Sequence, residues 1–185
     1  MNSFSFVIVP LVILYISYFG ISRIYSRHYR EVYVEGIDEL KSKSNVNFSL
    51  RIKDSKDINA FSTSGNTIIV TSSLLNLDKK EIMAAIAHEL GHIKMKHHIK
   101  NLFIISLILI GFFSLLNIPL IALLFLLLGF LVQRFLSRKF ELEADKYAVK
   151  LTSKEALVLL INNYGDPSSS ILSTHPSSIL RVKKI

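Results

Sequence analysis

The segment HELGH holds two histidines four residues apart, His88 and His92, with Glu89 directly after the first. On an α-helix, residues four apart lie about 40° apart around the axis and one turn along it, so both imidazole rings can face one ion. Glu89 then lies about 100° round from His88, beside such an ion without binding it. This arrangement suits metal-assisted hydrolysis of a peptide bond, because zinc lowers the pKa of a bound water and a nearby carboxylate takes its proton.

The same residues have a simpler interpretation, in which they form the solvated polar face of a charged helix near lipid headgroups. The chain has no cysteine, so a zinc site would have to consist of histidine, aspartate and glutamate side chains. A catalytic zinc site usually has three protein ligands and leaves one position for water. A third ligand is therefore what separates the two interpretations.

The third ligand is predicted from the apolar stretch 102–132, which is interrupted at residues 117–119. If this stretch folds into two antiparallel helices, His92 and Glu141 lie almost equally far along the chain from the turn. They then stand within roughly one helical turn of the same height. The hairpin itself would bring a carboxylate to the pair of histidines.

Glu141 is preferred over Glu143 because the two side chains face about 200° apart on a helix. The face of Glu141 also carries Ala144, and the facing helix offers Gly91, so small residues let the two helices approach closely there. Asp145 lies one turn further along the same face. We expect it to accept a hydrogen bond from the second nitrogen of a ligating histidine; the alternative is an ordinary salt bridge.

His97 and His98 follow the motif closely enough to be considered as ligands. A third histidine at the position of His98 occurs in another zinc motif, which needs a glycine for the chain to turn where this sequence has Met95. On a continuing helix His98 would lie about 9 Å along the axis from His92. We therefore expect His97 and His98 to be polar residues at the membrane interface rather than ligands.

The helices that carry these residues are predicted from capping signals. Asp78 and Glu81 form a capping box at the start of the HELGH helix, which then continues without a breaker into the apolar stretch. Thr152 and Glu155 form a second capping box, and the helix that follows it ends at residues 163–167.

Short strands are predicted ahead of the HELGH helix. Residues 46–54 partly alternate between apolar and polar types, and residues 58–73 predict two more strands around a turn at 64–66. The expected fold class is therefore mainly α with a small β-sheet.

Membrane segments are indicated by composition, since half of the chain is apolar and only 19% is charged. Residues 4–21 form an almost continuous apolar run, long enough to span roughly 27 Å as a helix. Arginines follow this run and no basic residue precedes it, which favours a retained anchor over a cleaved signal peptide. We predict an N-terminal transmembrane anchor over 1–22 and a second domain over 23–185, interrupted by a transmembrane hairpin at 102–133.

The net charge of +8 comes from basic residues that cluster beside the apolar runs. Such clusters attract anionic lipid headgroups, so we expect a lipid bilayer and not nucleic acid as their partner. Their positions predict that the N-terminus and the hairpin tip lie outside and that all polar parts lie in the cytosol. The chain is thus predicted to be an integral protein of the cell membrane with its site facing the cytoplasm.

Four segments of the chain resemble, in order, those of the membrane zinc peptidases of family M48, of the HtpX and Ste24 type: NAF (59–61), AHELGH (87–92), SRKFELEAD (137–145) and STHPSSILR (173–181). The resemblance covers about residues 55–185. It implies a membrane-anchored, gluzincin-like fold with one zinc ion per chain, bound by His88, His92 and Glu141.

The resemblance also implies which residues contact the substrate. Asn59, Ala60 and Phe61 are expected in a strand near the cleft, where Asn59 touches substrate backbone. His175 and Arg181 are expected near the active site, as candidates for stabilising the oxyanion. These assignments rest on the family pattern and on no spacing argument.

The function expected from these observations is zinc-dependent endopeptidase activity, with Glu89 as the general base. Its substrates would be membrane-associated proteins, including misfolded ones, cut on the cytosolic side. One alternative is a peptidase for prenylated C-terminal (CaaX) sequences, as in the Ste24 type. The other is a non-catalytic membrane module in which zinc only joins the helices of the hairpin.

Overall fold

The computed structural model of the protein describes residues 3–168, 170, 173 and 175–185. Within them the chain is mainly helical, with one four-stranded sheet. The helices are α1 (Ser3–His28), α2 (Ile37–Ser44), α3 (Lys79–Lys94), α4 (His97–Ser114), α5 (Pro119–Leu151), α6 (Lys154–Tyr164) and α7 (Ser178–Lys184). The strands are β1 (Arg30–Glu31), β2 (Ser49–Lys53), β3 (Ala60–Ser62) and β4 (Thr67–Thr71).

Among the described residues, three helices are long and apolar enough to cross a membrane: α1, over Val7–Ile24, α4 and α5. Large apolar side chains on them face outward; Ile16, Phe103 and Leu128 are 68%, 58% and 63% exposed. Exposed apolar surface of this extent marks a site of contact with lipid or with another protein. The predicted apolar hairpin is present, because the consecutive helices α4 and α5 pack against each other.

The sheet has the strand order β1-β2-β4-β3, with β2 and β4 parallel and the two outer pairs antiparallel. The three strands predicted from the sequence correspond to β2, β3 and β4. Asn66 supplies the left-handed backbone conformation, with φ of 54°, in the turn between β3 and β4. Strand β3 lies at an edge of the sheet and contacts α3.

Helix α3 packs against the sheet and against α5 and α6. Gly91 lies at the closest approach of α3 and α5, since a Cβ atom there would stand 3.0 Å from the Cα of Ala144. Ala84, Ala87 and Ala144 are fully buried at the same level of the core. Small side chains on both helices therefore set the spacing that brings Glu141 to the histidines.

The prediction of one unbroken helix from Asp78 into the apolar stretch is wrong. Helix α3 ends at Lys94, and Lys96 adopts the left-handed conformation with φ of 55° before α4 begins at His97. At the end of α3, the N–H of Met95 donates to the carbonyl of Gly91, and the N–H of Lys96 donates to the carbonyl of Ile93. A left-handed lysine costs roughly 1–2 kcal/mol and has no sequence signal, unlike a glycine.

Both predicted capping boxes differ in the structure. Asp78 precedes α3, but its side chain makes no capping hydrogen bond. The side chain of Glu81 accepts a hydrogen bond from Asn163 of α6. Helix α6 is capped by Ser153, whose hydroxyl accepts from the N–H of Ala156, and not by Thr152. The hydroxyl of Thr152 instead donates to the carbonyl of Ala148 at the end of α5, so it is not available as a cap for α6.

Candidate metal centre

The pair of histidines on α3 points its Nε2 atoms at one place. Nε2 of His88 and Nε2 of His92 are 3.2 Å apart. Both side chains are largely buried, with 11% of His88 and 12% of His92 exposed. The helical spacing of four residues accounts for this geometry.

Glu141 reaches the same place from α5. Its Oε2 lies 3.5 Å from Nε2 of His88, and its Oε1 lies 3.4 Å from Nε2 of His92. Ligands held at 2.0–2.1 Å around a tetrahedral zinc ion stand about 3.3 Å from one another. The three side chains therefore fit a metal of this size, and they form a His-His-Glu group in which all ligand atoms lie within 4.8 Å.

Asp145 and Arg181 support His88 from behind. Nδ1 of His88 lies 2.9 Å from Oδ1 of Asp145, although its N–H is not well aligned with that oxygen. Arg181, on α7, donates to both carboxylate oxygens of Asp145, from Nε at 2.8 Å and from Nη2 at 2.6 Å. Asp145 thus lies beside Nδ1 of His88 and forms a salt bridge with Arg181.

His92 has a different partner, supplied by the turn between α3 and α4. Nδ1 of His97 lies 3.1 Å from Nδ1 of His92, and Nε2 of His97 lies 3.2 Å from Oε2 of Glu143. The ring of His97 stacks on Phe140 with centroids 4.5 Å apart, and the residue is only 3% exposed. His97 is therefore a buried residue beside the centre, at the first position of the apolar helix α4.

Glu89 faces the strand β3. Its Oε2 accepts a hydrogen bond of 2.7 Å from the hydroxyl of Ser62, and that hydroxyl lies 2.9 Å from Nε2 of His98. His98 is therefore also drawn into the site, because the break at Lys96 redirects the start of α4.

His175 closes the site on the side of the C-terminal segment. Its Nδ1 lies 3.0 Å from Oε2 of Glu141, while 65% of its side chain remains exposed. The residue thus stands at the rim of the centre.

Charges in the centre favour a cation. Burial opposes a positive charge on His88, but the carboxylates of Asp145 and Glu141 outweigh burial and raise its pKa to about 10. Burial and the charge of His88 lower the pKa of His92 to about 3, so its nitrogen lone pair is available. Two carboxylates that stabilise a positive charge, together with a neutral imidazole on His92, are the kind of groups that bind a metal ion.

A cleft of about 180 Å³ opens beside His88 and Glu89. Asn59 and Ala60 form one wall, and His175 and Arg181 stand at another. Its remaining wall is largely apolar and is contributed mainly by α6: Leu157, Leu160, Ile161 and Tyr164. Phe61 does not line this cleft; it lines a second groove between β3 and α1, together with Tyr18 and His98.

The match to known proteins agrees with this centre. The sequence model of peptidase family M48 matches residues 30–185, which is most of the chain. The chain belongs to peptidase family M48. A curated relative from Taenia solium, described as "CAAX prenyl protease 1 homolog", is 34% identical over 108 residues, which cover 43% of this chain and 23% of that protein. The chain therefore matches less than a quarter of the relative's length.

The structure of this M48 chain brings together most of the residues singled out in the sequence. His88, His92 and Glu141 form one cluster, and Glu89 lies beside it. The cleft is lined in part by four of the five expected substrate contacts: Asn59, Ala60, His175 and Arg181.

Ser62 was not singled out in the sequence, and His97 and His98 were considered there only as ligands, without the contacts that they make beside the centre. Ser62 could have been found, because it follows Ala60 by two in a strand, so the two side chains lie on the same face of the sheet. The two histidines could not, since their placement depends on the left-handed turn at Lys96.

Proposed function

We propose that this chain is a zinc-dependent endopeptidase with one zinc ion per chain. The observation that carries the proposal is the spacing of 3.2–3.5 Å between the ligand atoms of His88, His92 and Glu141. A catalytic centre needs a base beside the metal, and Glu89 is present where a purely structural zinc site would need no such group. An open cleft next to Glu89 would admit a peptide.

The reaction proposed is hydrolysis of a peptide bond by a water molecule. When bound, zinc would supply a Lewis acid that polarises the scissile carbonyl and acidifies the water. Glu89 takes a proton from the water and then passes it to the leaving amide nitrogen. Burial raises the pKa of the Glu89 carboxyl, which makes it a stronger base for this task.

Stabilisation of the oxyanion is assigned to the C-terminal segment. Both Nε and Nη2 of Arg181 already donate to Asp145, so Arg181 acts mainly by holding that carboxylate. His175 is the better candidate for a direct donor, because it stands at the exposed rim of the centre. The hydrogen bond to Glu141 raises the pKa of His175, which favours its protonated, donating form.

The substrate is proposed to lie extended along the free edge of β3. Asn59 and Thr63 direct their backbone groups to β4, because Asn59 C=O accepts from Thr71 and Thr63 N–H donates to Thr67. The alternate residues, Ala60 and Ser62, therefore direct their backbone groups outward. A peptide could pair with this edge as an added strand.

Membrane-associated proteins are the proposed substrates, cut on the cytosolic side. The centre lies at the base of the hairpin, since α4 begins five residues after His92. We further propose that residues 1–22 anchor the chain and that residues 23–185, interrupted by the hairpin at 102–133, form the peptidase domain in the cell membrane. The positions of the basic residues support this orientation.

A second candidate is cleavage of prenylated C-terminal peptides, favoured by the name of the relative from Taenia solium. The two candidates differ in the substrate that would be bound, since a prenylated peptide brings its own lipid group. The cleft beside Glu89 has a volume of about 180 Å³ and the groove lined by Phe61 and Tyr18 about 490 Å³. The endopeptidase is the first candidate because it needs no separate site for a lipid group.

Both candidates are tested with the full chain purified in detergent and loaded with zinc. Zinc per chain is measured, and turnover is followed on fluorescent casein and on a farnesylated peptide. Glu89→Gln should keep one zinc per chain and lose at least a hundredfold in turnover, because it removes the base. Equal turnover by this variant and the wild type would refute the mechanism, and zinc without any turnover would indicate a structural site.

A further inference from the structure

The carboxylate of Glu89 accepts a hydrogen bond from the side chain of Ser62, which in turn contacts His98, and the proposed reaction uses neither side chain. Ser62 Oγ lies 2.7 Å from Oε2 of Glu89 and 2.9 Å from Nε2 of His98. Ser62 is 9% exposed, so water does not readily replace these contacts. The three groups form a chain that joins the proposed base to the first turn of α4.

Hydrogen-bond chemistry fixes the direction of this chain. A carboxylate only accepts, so the hydroxyl of Ser62 donates its single hydrogen to Glu89. The oxygen of Ser62 can then only accept from His98, whose Nε2 must therefore carry a hydrogen. The hydrogen bond to a charged carboxylate is the stronger of the two.

This chain restricts how Glu89 can rotate. With Oε2 bound to Ser62, the other carboxylate oxygen is left to take the proton from water. A carboxylate without such a partner would sample several rotamers, and its geometry relative to the water would be less well defined. The hydroxyl is fixed in turn, because His98 leaves it only one direction in which to donate.

We propose that Ser62 is a positioning residue for the general base Glu89, and that His98 orients the hydroxyl of Ser62. The inference rests on the proposed peptidase function. Neither residue contacts the reacting atoms. Ser62 holds Glu89, and His98 acts through Ser62.

The test compares Ser62→Ala, Ser62→Thr, His98→Ala and the double variant Ser62→Ala/His98→Ala as full-length, zinc-loaded chains in detergent. We expect Ser62→Ala to lower kcat on fluorescent casein roughly tenfold, with KM within about twofold of the wild type and one zinc per chain. Ser62→Thr keeps the hydroxyl and should recover most of the activity. The matched control is Ser64→Ala, which removes a hydroxyl from the adjacent turn and should leave kcat unchanged.

His98→Ala should lower kcat by roughly threefold, and the double variant should be no slower than Ser62→Ala alone, because the two residues act in series. Losses that multiply in the double variant would contradict the chain. So would equal losses in Ser62→Ala and Ser62→Thr, since threonine also provides a hydroxyl.

A measurement independent of turnover is the ¹⁵N NMR shift of the His98 ring in the wild type and in Ser62→Ala. The proposal requires a protonated Nε2 in the wild type, with a shift that changes when Ser62 is replaced. An unprotonated Nε2 would overturn it. If the wild type shows no turnover above Glu89→Gln, the proposed function fails and the positioning role with it; if the wild type turns over and Ser62→Ala matches it, only the positioning role fails.

Discussion

The two histidines of the metal centre stand one turn apart on α3, yet their second ring nitrogens face different partners. Nδ1 of His88 faces Asp145, a fully buried carboxylate that Arg181 holds with two hydrogen bonds. Nδ1 of His92 faces the ring of His97, which is held by Glu143. A carboxylate partner raises the basicity of an imidazole directly, whereas an imidazole partner provides only an ordinary hydrogen bond.

The difference has a structural origin. His88 lies on the side of α3 where α5 and α7 meet, so two separate helices supply its support. His92 lies next to the end of α3, where the chain itself supplies the partner after the left-handed turn at Lys96. We therefore expect zinc affinity to depend more strongly on the residues that hold His88 than on those that hold His92.

Of the substitutions considered, we expect Asp145→Asn to reduce zinc affinity the most. It should weaken zinc binding roughly 10- to 100-fold, because the amide is a poorer acceptor for the ring of His88. It should also lower the free energy of unfolding, since Arg181 loses a buried counter-charge. Competition with a chelator of known affinity measures the zinc affinity. An unchanged affinity would show that His88 needs no support from Asp145.

Gly91→Ala should move both histidines away from Glu141, because both lie on α3 and Glu141 lies on α5. Its Cβ would lie 3.0 Å from Cα and 3.2 Å from the carbonyl oxygen of Ala144, so α3 and α5 must move apart. We expect a loss of about 1–3 kcal/mol in the free energy of unfolding and weaker zinc binding. Thermal unfolding in detergent measures the first effect.

The control for this substitution is Gly65→Ala. A Cβ there would meet its nearest atoms at 3.8 and 3.9 Å, which is ordinary van der Waals contact. Equal stability of the Gly91→Ala variant and the wild type would show that the helix spacing does not depend on this glycine.

The smallest effect is expected for His97→Phe. Phenylalanine keeps a ring that can stack on Phe140 but removes the hydrogen bond to His92. Zinc affinity should fall by roughly two- to tenfold, less than for Asp145→Asn. The same chelator competition measures it. A loss larger than that of Asp145→Asn would reverse the order of the two supports.

Much of the centre could be predicted from local spacing. The H-E-x-x-H pattern needs only helical periodicity, and Glu141 needed only two helices of matched length on either side of residues 117–119. The break between α3 and α4 at residues 95–96 interrupts the first of these helices but leaves Glu141 beside both histidines. The strands β2, β3 and β4 were also predicted, because alternation and a turn signal specify them locally.

The caps and the break after Lys94 could not be predicted in this way. Asp78 and Thr152 are of residue types that often cap helices. In the structure, however, Glu81 accepts a hydrogen bond from Asn163, and Ser153 caps α6. Lys96 is left-handed without being glycine, and the burial of the next residue, His97, accompanies that conformation. The contact of Glu81 with Asn163 and that of His97 with Glu143 join residues far apart in the sequence. At Lys96 such contacts offset a local cost of roughly 1–2 kcal/mol.

By itself the sequence determined the identity of the group that can hold a metal, because helix geometry and hairpin length bring His88, His92 and Glu141 to one level. It also determined the family, through segments whose order is fixed along the chain. Only the tertiary structure decided how the ligands and the base are supported. Ser62 reaches the centre from β3, His97 and His98 from the start of α4, and Arg181 from α7, and contacts of that kind depend on how the elements pack rather than on any local pattern.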